Sequence, residues 1–146
     1  MNPVSVLKTR FGYAVFSLAL VLSSFTGQSQ VYKFRAFQSY FRPSDQIRPT
    51  NEDDWNKVDI LVVINFVKSK VETFGNKEGD YDFISQNETY RNSNNDKVLS
   101  YQAIDGEGEK CTIEITIFND QSGIHVATLS CIYPFGSINF RLKKIE

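Results

Sequence analysis

Five consecutive residues, Asp105-Gly106-Glu107-Gly108-Glu109, bring three carboxylates and two glycines together. Closely spaced carboxylates are what a calcium loop needs, and the EF-hand form also requires a Gly at the sixth position and a Glu at the twelfth. Counted from Asp105, the sixth residue is Lys110 and the twelfth is Thr116, so the ligand spacing fails. Asp-Gly is a strong hairpin signal, and Gly108 adds a second residue free to take an unusual φ. The stretch therefore reads as the corner between two strands and not as a metal site. Asn51-Glu52-Asp53-Asp54-Trp55 is another oxygen-rich group. It reads as a solvated loop, with Thr50 and Asp53 spaced as a capping box for one helical turn.

The other groups with chemical potential are two cysteines and one histidine. Pairing Phe118 with Ile124 across the five-residue turn Asn119–Gly123 sets a hairpin register that places Cys111 directly opposite Cys131. Facing residues of an antiparallel pair have Cα atoms about 4.5–5.5 Å apart, within the range that a disulfide spans. A Cys111–Cys131 disulfide is therefore the expectation, with two buried thiols as its alternative. There is no C-x-x-C motif to make a redox-catalytic pair. His125 would have to serve any Ser-His-Asp system, yet no G-x-S-x-G motif accompanies it. By the parity of Ala127 and Leu129 it reads as a rim or partly buried residue. One His and two Cys do not complete a zinc set. The expectation is no catalytic residue, no metal and no cofactor. A glycosidase-like pair of carboxylates is retained only as a lesser alternative.

The elements that must position these residues alternate with a period of two. Ile113, Ile115 and Ile117 share one face of "TIEITIF", and Ile138, Phe140 and Leu142 share one face of "SINFRLKKI". Such alternation marks half-buried strands, because successive strand side chains point to opposite faces. Eight strands are expected, near 31–41, 58–66, 69–75, 79–85, 97–105, 109–118, 124–133 and 137–145. Most connections are short, as in an antiparallel meander. The longer ones are 42–57 and a polar, mobile loop over 86–96. Eight antiparallel strands leave two exposed edges unless the sheet closes. The fold class is all-β: a lipocalin-like barrel, or a flattened barrel or sandwich.

The first 29 residues read as a signal peptide. Lys8 and Arg10 precede an uncharged apolar run over 11–25, and Gly27-Gln28-Ser29 offers small residues for cleavage. That run is shorter than the roughly 20 apolar residues a spanning helix needs, so no membrane span is expected after cleavage. Residues 30–146 then form a single β domain that is exported, either to the periplasm or beyond the cell. Without Lys8 and Arg10 the chain has 14 basic and 17 acidic residues, a net charge of −3. The basic stripe of a nucleic-acid binder is missing. The tail Arg141-Leu142-Lys143-Lys144 reads as a solvated face.

Tyr32, Phe34, Trp55, Tyr81, Phe83, Tyr101, Tyr133 and Phe140 are candidates for the barrel interior. A small barrel either fills with side chains or leaves room for one ligand. A cavity for an apolar ligand would be lined by Phe34, Tyr101, Ile115 and Leu129. The segments "GQSQVYKFRA", "DDWNKVDILVVIN", "YDFIS", "YQAIDGEGEKCTIEI" and "IYP" resemble small exported β-rich proteins of Bacteroidota. That resemblance implies an exported single β domain and supplies no catalytic residues. Cys131 is not a feature of the group, so the disulfide rests on register alone. The leading functional expectation is a non-enzymatic domain that binds a protein or glycan partner. A carrier of a small apolar ligand is the alternative.

Overall fold

Strands with one apolar row must bury that row, and here they do so by wrapping around it. A computed structural model describes residues 31–145; the segment expected to be a signal peptide lies outside the described residues. The strands are β1 (Val31–Pro43), β2 (Asn56–Asn65), β3 (Lys70–Gly75), β4 (Gly79–Gln86), β5 (Tyr90–Arg91), β6 (Lys97–Asp105), β7 (Lys110–Ile117), β8 (Ala127–Tyr133) and β9 (Gly136–Lys144). All eight strands expected from alternation are present, and the two-residue β5 is an addition. Neighbours in the meander pair antiparallel, β9 returns to β1, and β4 pairs with β6. The result is a closed eight-stranded antiparallel barrel. Closure removes the sheet edges. β5 continues the seam along β6 beyond the point where β4 leaves it.

The inward rows fill the barrel. Ile60, Ile64, Ile113, Ile115, Leu129 and Leu142 are all but inaccessible to solvent. Each such side chain contributes about 1.5–3 kcal/mol on burial. Two bulges break the alternation. At Phe37 the pairings of β1 with both β2 and β9 shift by one residue. Ala36 and Ser39 therefore face inward opposite Leu142 and Phe140, while Gln38 and Tyr40 turn outward opposite Arg141 and Asn139. At Ile84 the β4–β6 pairing shifts likewise, and Gln86 falls opposite the inward Tyr101. A bulge inserts one unpaired residue and so exchanges the two faces of everything beyond it.

The acidic corner is a turn. Asp105 Oδ1 accepts from the backbone N–H of Glu107 (3.0 Å) and Glu109 (2.9 Å). Gly108 takes φ +86°, which suits glycine. Asp105 Oδ2 accepts from the Tyr133 hydroxyl at 2.8 Å, tying this corner to the end of β8. Burial raises the Asp105 pKa, but the bonds from Tyr133 and from the backbone of Glu109, Glu107 and Gly108 outweigh it and hold the group below the ordinary carboxylate value. At the facing β8–β9 turn, Gly136 has φ +155°, and a Cβ there would lie 2.6 Å from the Arg42 carbonyl oxygen. The connection 86–96, expected to be mobile, is densely bonded. Asn92 Oδ1 accepts from the N–H of Asn94 and of Asp96, both at 3.0 Å.

The hairpin register differs from expectation by two residues. Phe118 N–H donates to Val126 O at 3.0 Å, not to a residue at 124, and Ile113 faces Cys131. Cys111 and Cys131 are free, buried, and diagonal neighbours on the inward face. Diagonal pairs lie about 7–8 Å apart, beyond comfortable disulfide reach. The expected disulfide is therefore corrected to two interior thiols. Burial pushes the Cys131 thiol up to about 12 and raises that of Cys111, which disfavours the reactive thiolate.

An aromatic disulfide reagent should consequently titrate no thiol in the native protein and two after unfolding in denaturant. Leu129→Ala, in the centre of the core, should cost about 2–5 kcal/mol in a urea titration. Ile132→Ala, on the outer face, should change stability by less than about 0.5 kcal/mol.

Candidate binding site at the barrel mouth

At one end of the barrel the inward rows change character. β1 runs from Ala36 through Phe34 to Tyr32, β4 from Tyr81 through Phe83 to Gln86, and β6 from Ala103 through Tyr101 and Leu99 to Lys97. Aliphatic side chains thus give way to rings, and rings to polar groups, at the end where β1 and β6 begin. The β2–β3 turn adds Phe66 and Ser69. The outer residues of these rows (Tyr32, Phe83, Gln86, Tyr101, Leu99 and Lys97), with Phe66, Ser69, Ile84, Ser85 and Ile117, surround an open cavity of about 520 Å³. That size lies within the usual range for small-molecule sites, about 300–1,000 Å³.

The wall of the cavity is an aromatic cluster. Phe83 and Tyr101 stack at 4.1 Å between centroids with planes 10° apart. Phe66 lies 6.3 Å from Phe83 and 5.9 Å from Tyr101. Tyr32 meets Phe66 edge-on at 5.9 Å. Offset and edge-on contacts of this kind add about 0.5–1.5 kcal/mol each beyond area burial, so the rings hold one another in place. The turn carrying Phe66 is itself braced. Asn65 Oδ1 accepts from Lys68 N–H at 3.0 Å, and Ser69, at φ +53°, presents its carbonyl to Phe83 N–H at 2.8 Å. Burial raises the Tyr101 pKa, so its hydroxyl is neutral at ordinary pH.

Two loops flank the mouth and are joined to each other. Asp96 is buried. Its Oδ1 accepts from Asn119 N–H at 2.9 Å, and its Oδ2 accepts from the Asn92 amide at 3.2 Å.

Of the four ligand-lining candidates, Tyr101 lines this cavity. Ile115 and Leu129 belong to the buried core, and Phe34 packs against that core partly buried. Phe66, Ser69, Gln86 and Lys97 were not legible as site residues. Phe66 lies in a turn, and Gln86 faces inward only because of the Ile84 bulge.

Three further clusters complete the picture. Trp55, expected in the interior, stands outside: the Arg141 guanidinium lies 4.2 Å above its ring. Arg141 also donates to both carboxylate oxygens of Glu52 at 2.7 Å and to Gln38 at 3.0 Å. Arg141 is thus a clamp on the 44–55 excursion and not a solvated tail residue. The excursion's 3-10 turn, Glu52–Asp54, starts one residue later than Thr50 and Asp53 implied, with Asn51 N–H donating to Asp54 at 2.8 Å. Arg48 pairs with Asp54 and holds its carboxyl at about 2.

His125 lies on this outer face, against Phe118 (4.6 Å) and with Nε2 3.1 Å from Thr128 Oγ1. It does not share the inward row of Ala127 and Leu129, because β8 begins only at Ala127. Two carboxylates do meet: Glu72 and Asp80 face each other across β3 and β4 on the outer surface, with Lys70 bridging them at 3.4 and 3.1 Å. The ammonium between them makes an ion-pair network, not an acid and a base flanking a substrate bond. No group of three or more His, Cys, Asp or Glu capable of holding a metal occurs among the described residues.

No protein-family model, no curated protein and no solved structure matches the chain.

Burial first, then the positive charge of Arg141, lower the His125 pKa below its ordinary 6.5; the Ala127 backbone and Glu52 oppose this without reversing it. The folded state therefore disfavours the proton. The contribution of His125 to stability is full above about pH 6.5 and falls as pH drops from there towards the lowered value. An NMR titration of the single imidazole should give a midpoint below 6.5 in the native protein and about 6.5 after unfolding.

Proposed function

We propose that this protein is a non-enzymatic binding domain that holds a small, ring-bearing ligand in the open mouth of its barrel. The observation that carries the reading is the aromatic wall formed by Phe66, Phe83, Tyr101 and Tyr32 around a cavity of about 520 Å³. A wall of fixed rings offers apolar area and stacking geometry at little ordering cost. The filled interior beneath it supports a shallow cup in place of a deep carrier cavity. Export, expected from the first 29 residues, belongs to the same proposal: such a domain would bind its ligand in the periplasm or outside the cell. A protein or glycan partner is a second reading. It is favoured by Phe41 and Phe135, 44% and 60% exposed, whose rings lie 6.4 Å apart at the opposite end.

Fluorescence titration with phenylnaphthylamine, an uncharged aromatic probe, tests the mouth. Saturable binding is expected, weakened at least about fivefold by Tyr101→Ala or Phe83→Ala and unchanged by Phe135→Ala. No saturable binding to the folded wild-type protein would overturn the reading.

A further inference from the structure

The inward row of β6 ends in a charge. Lys97 has the parity of Leu99, Tyr101 and Ala103, and it faces Ile117 across β7. Position 97 therefore belongs to the row that fills the barrel, one step beyond Leu99, which follows Tyr101 of the aromatic wall. A lysine in such a row keeps its ammonium in water by reaching past its apolar neighbours. It is the one charged residue among those lining the cavity. It makes no ion pair with any carboxylate of the described residues. The remaining polar groups at the rim, Ser69, Ser85 and Gln86, are neutral. The cavity thus has a graded polarity, with rings on the inside and a lone positive charge where it opens to solvent.

We propose, building on the reading of the mouth as a ligand site, that the ligand is an amphipathic anion. Its apolar ring system sits against Phe66, Phe83 and Tyr101, and its carboxylate or sulfonate meets the Lys97 ammonium at the rim. Both ends of such a ligand are matched. The ring leaves water for an aromatic surface. The acid stays near solvent, where pairing with Lys97 needs only partial desolvation. An exposed charge pair of this kind is screened by salt and contributes modestly, so Lys97 sets charge preference while the rings supply most of the affinity. A cationic ligand meets repulsion at the same place.

Two probes of similar shape separate this inference from the reading beneath it: anilinonaphthalene sulfonate, an anion, and phenylnaphthylamine, which is neutral. The anion is expected to bind the wild-type protein more tightly in low salt than in high salt. Lys97→Met, which keeps the aliphatic stem, should weaken the anion about fivefold at low salt, remove most of its salt dependence, and leave the neutral probe unchanged. Lys97→Glu should weaken the anion further. Lys97 is exposed, so the far-UV circular dichroism and melting temperature of both variants should match those of the wild type. If the neutral probe binds at the mouth but the anion shows neither salt dependence nor sensitivity to Lys97, the charge assignment is wrong and the aromatic site stands. If neither probe binds, both fall.

Discussion

Eight antiparallel strands close around a space that their own side chains are large enough to fill. Everything distinctive about this protein follows from that limit. Isoleucine, leucine and valine occupy the middle of the barrel, where their side chains are buried. The open cavity at the mouth lies where the inward rows reach the end of the strands and their residues need no longer interdigitate. At that end the aliphatic rows give way to Tyr32, Phe83, Tyr101 and Phe66. At the other end Asp105 and Tyr133 tie two corners together, and Gly136 lets the β8–β9 turn press against β1.

The outside of the barrel is organised by a different interaction. The bulge at Phe37 brings Gln38 round to face Arg141, and Arg141 in turn grips Glu52 and lies on Trp55. The long excursion between β1 and β2 is fixed to the outer wall in this way. Much of the polar character of that face is spent on itself. The guanidinium has a carboxylate, an amide and a ring for partners, and Lys70 is shared between Glu72 and Asp80. Lys97 is unlike them, a lysine at the end of an inward row.

Strands and their faces were legible in the sequence because alternation is a local signal. The Ile113-Ile115-Ile117 and Ile138-Phe140-Leu142 rows sit in the strands expected, β7 and β9. Strand number and the cost of open edges pointed to a closed barrel but left a flattened barrel or sandwich open. What could not be read was phase. Phe37 and Ile84 each follow another apolar residue, Ala36 and Phe83, and two apolar residues in succession do not by themselves say on which face the alternation resumes. The β7–β8 register depends on Phe118 bonding to Val126, a loop closure of seven residues and not five, and that difference alone separates the two cysteines. Trp55 was misplaced because a large aromatic suggests a core, whereas here its ring serves as a platform for a cation. The site was only partly visible for the same reasons. Tyr101 lies in a regular row, but Phe66 and Gln86 reach the mouth through a turn and a bulge.

The buried carboxylate of Asp96 joins the two loops that flank the mouth, one leading into β6 and the other leaving β7. Lys97 and Ile117, which face each other on the cavity wall, begin and end at those loops. The cup is therefore not assembled from independent flaps. A ligand of the proposed kind would meet walls already in place, and little of its interaction energy would be diverted into ordering the chain. Entry of such a ligand would then be governed by diffusion and the shedding of water.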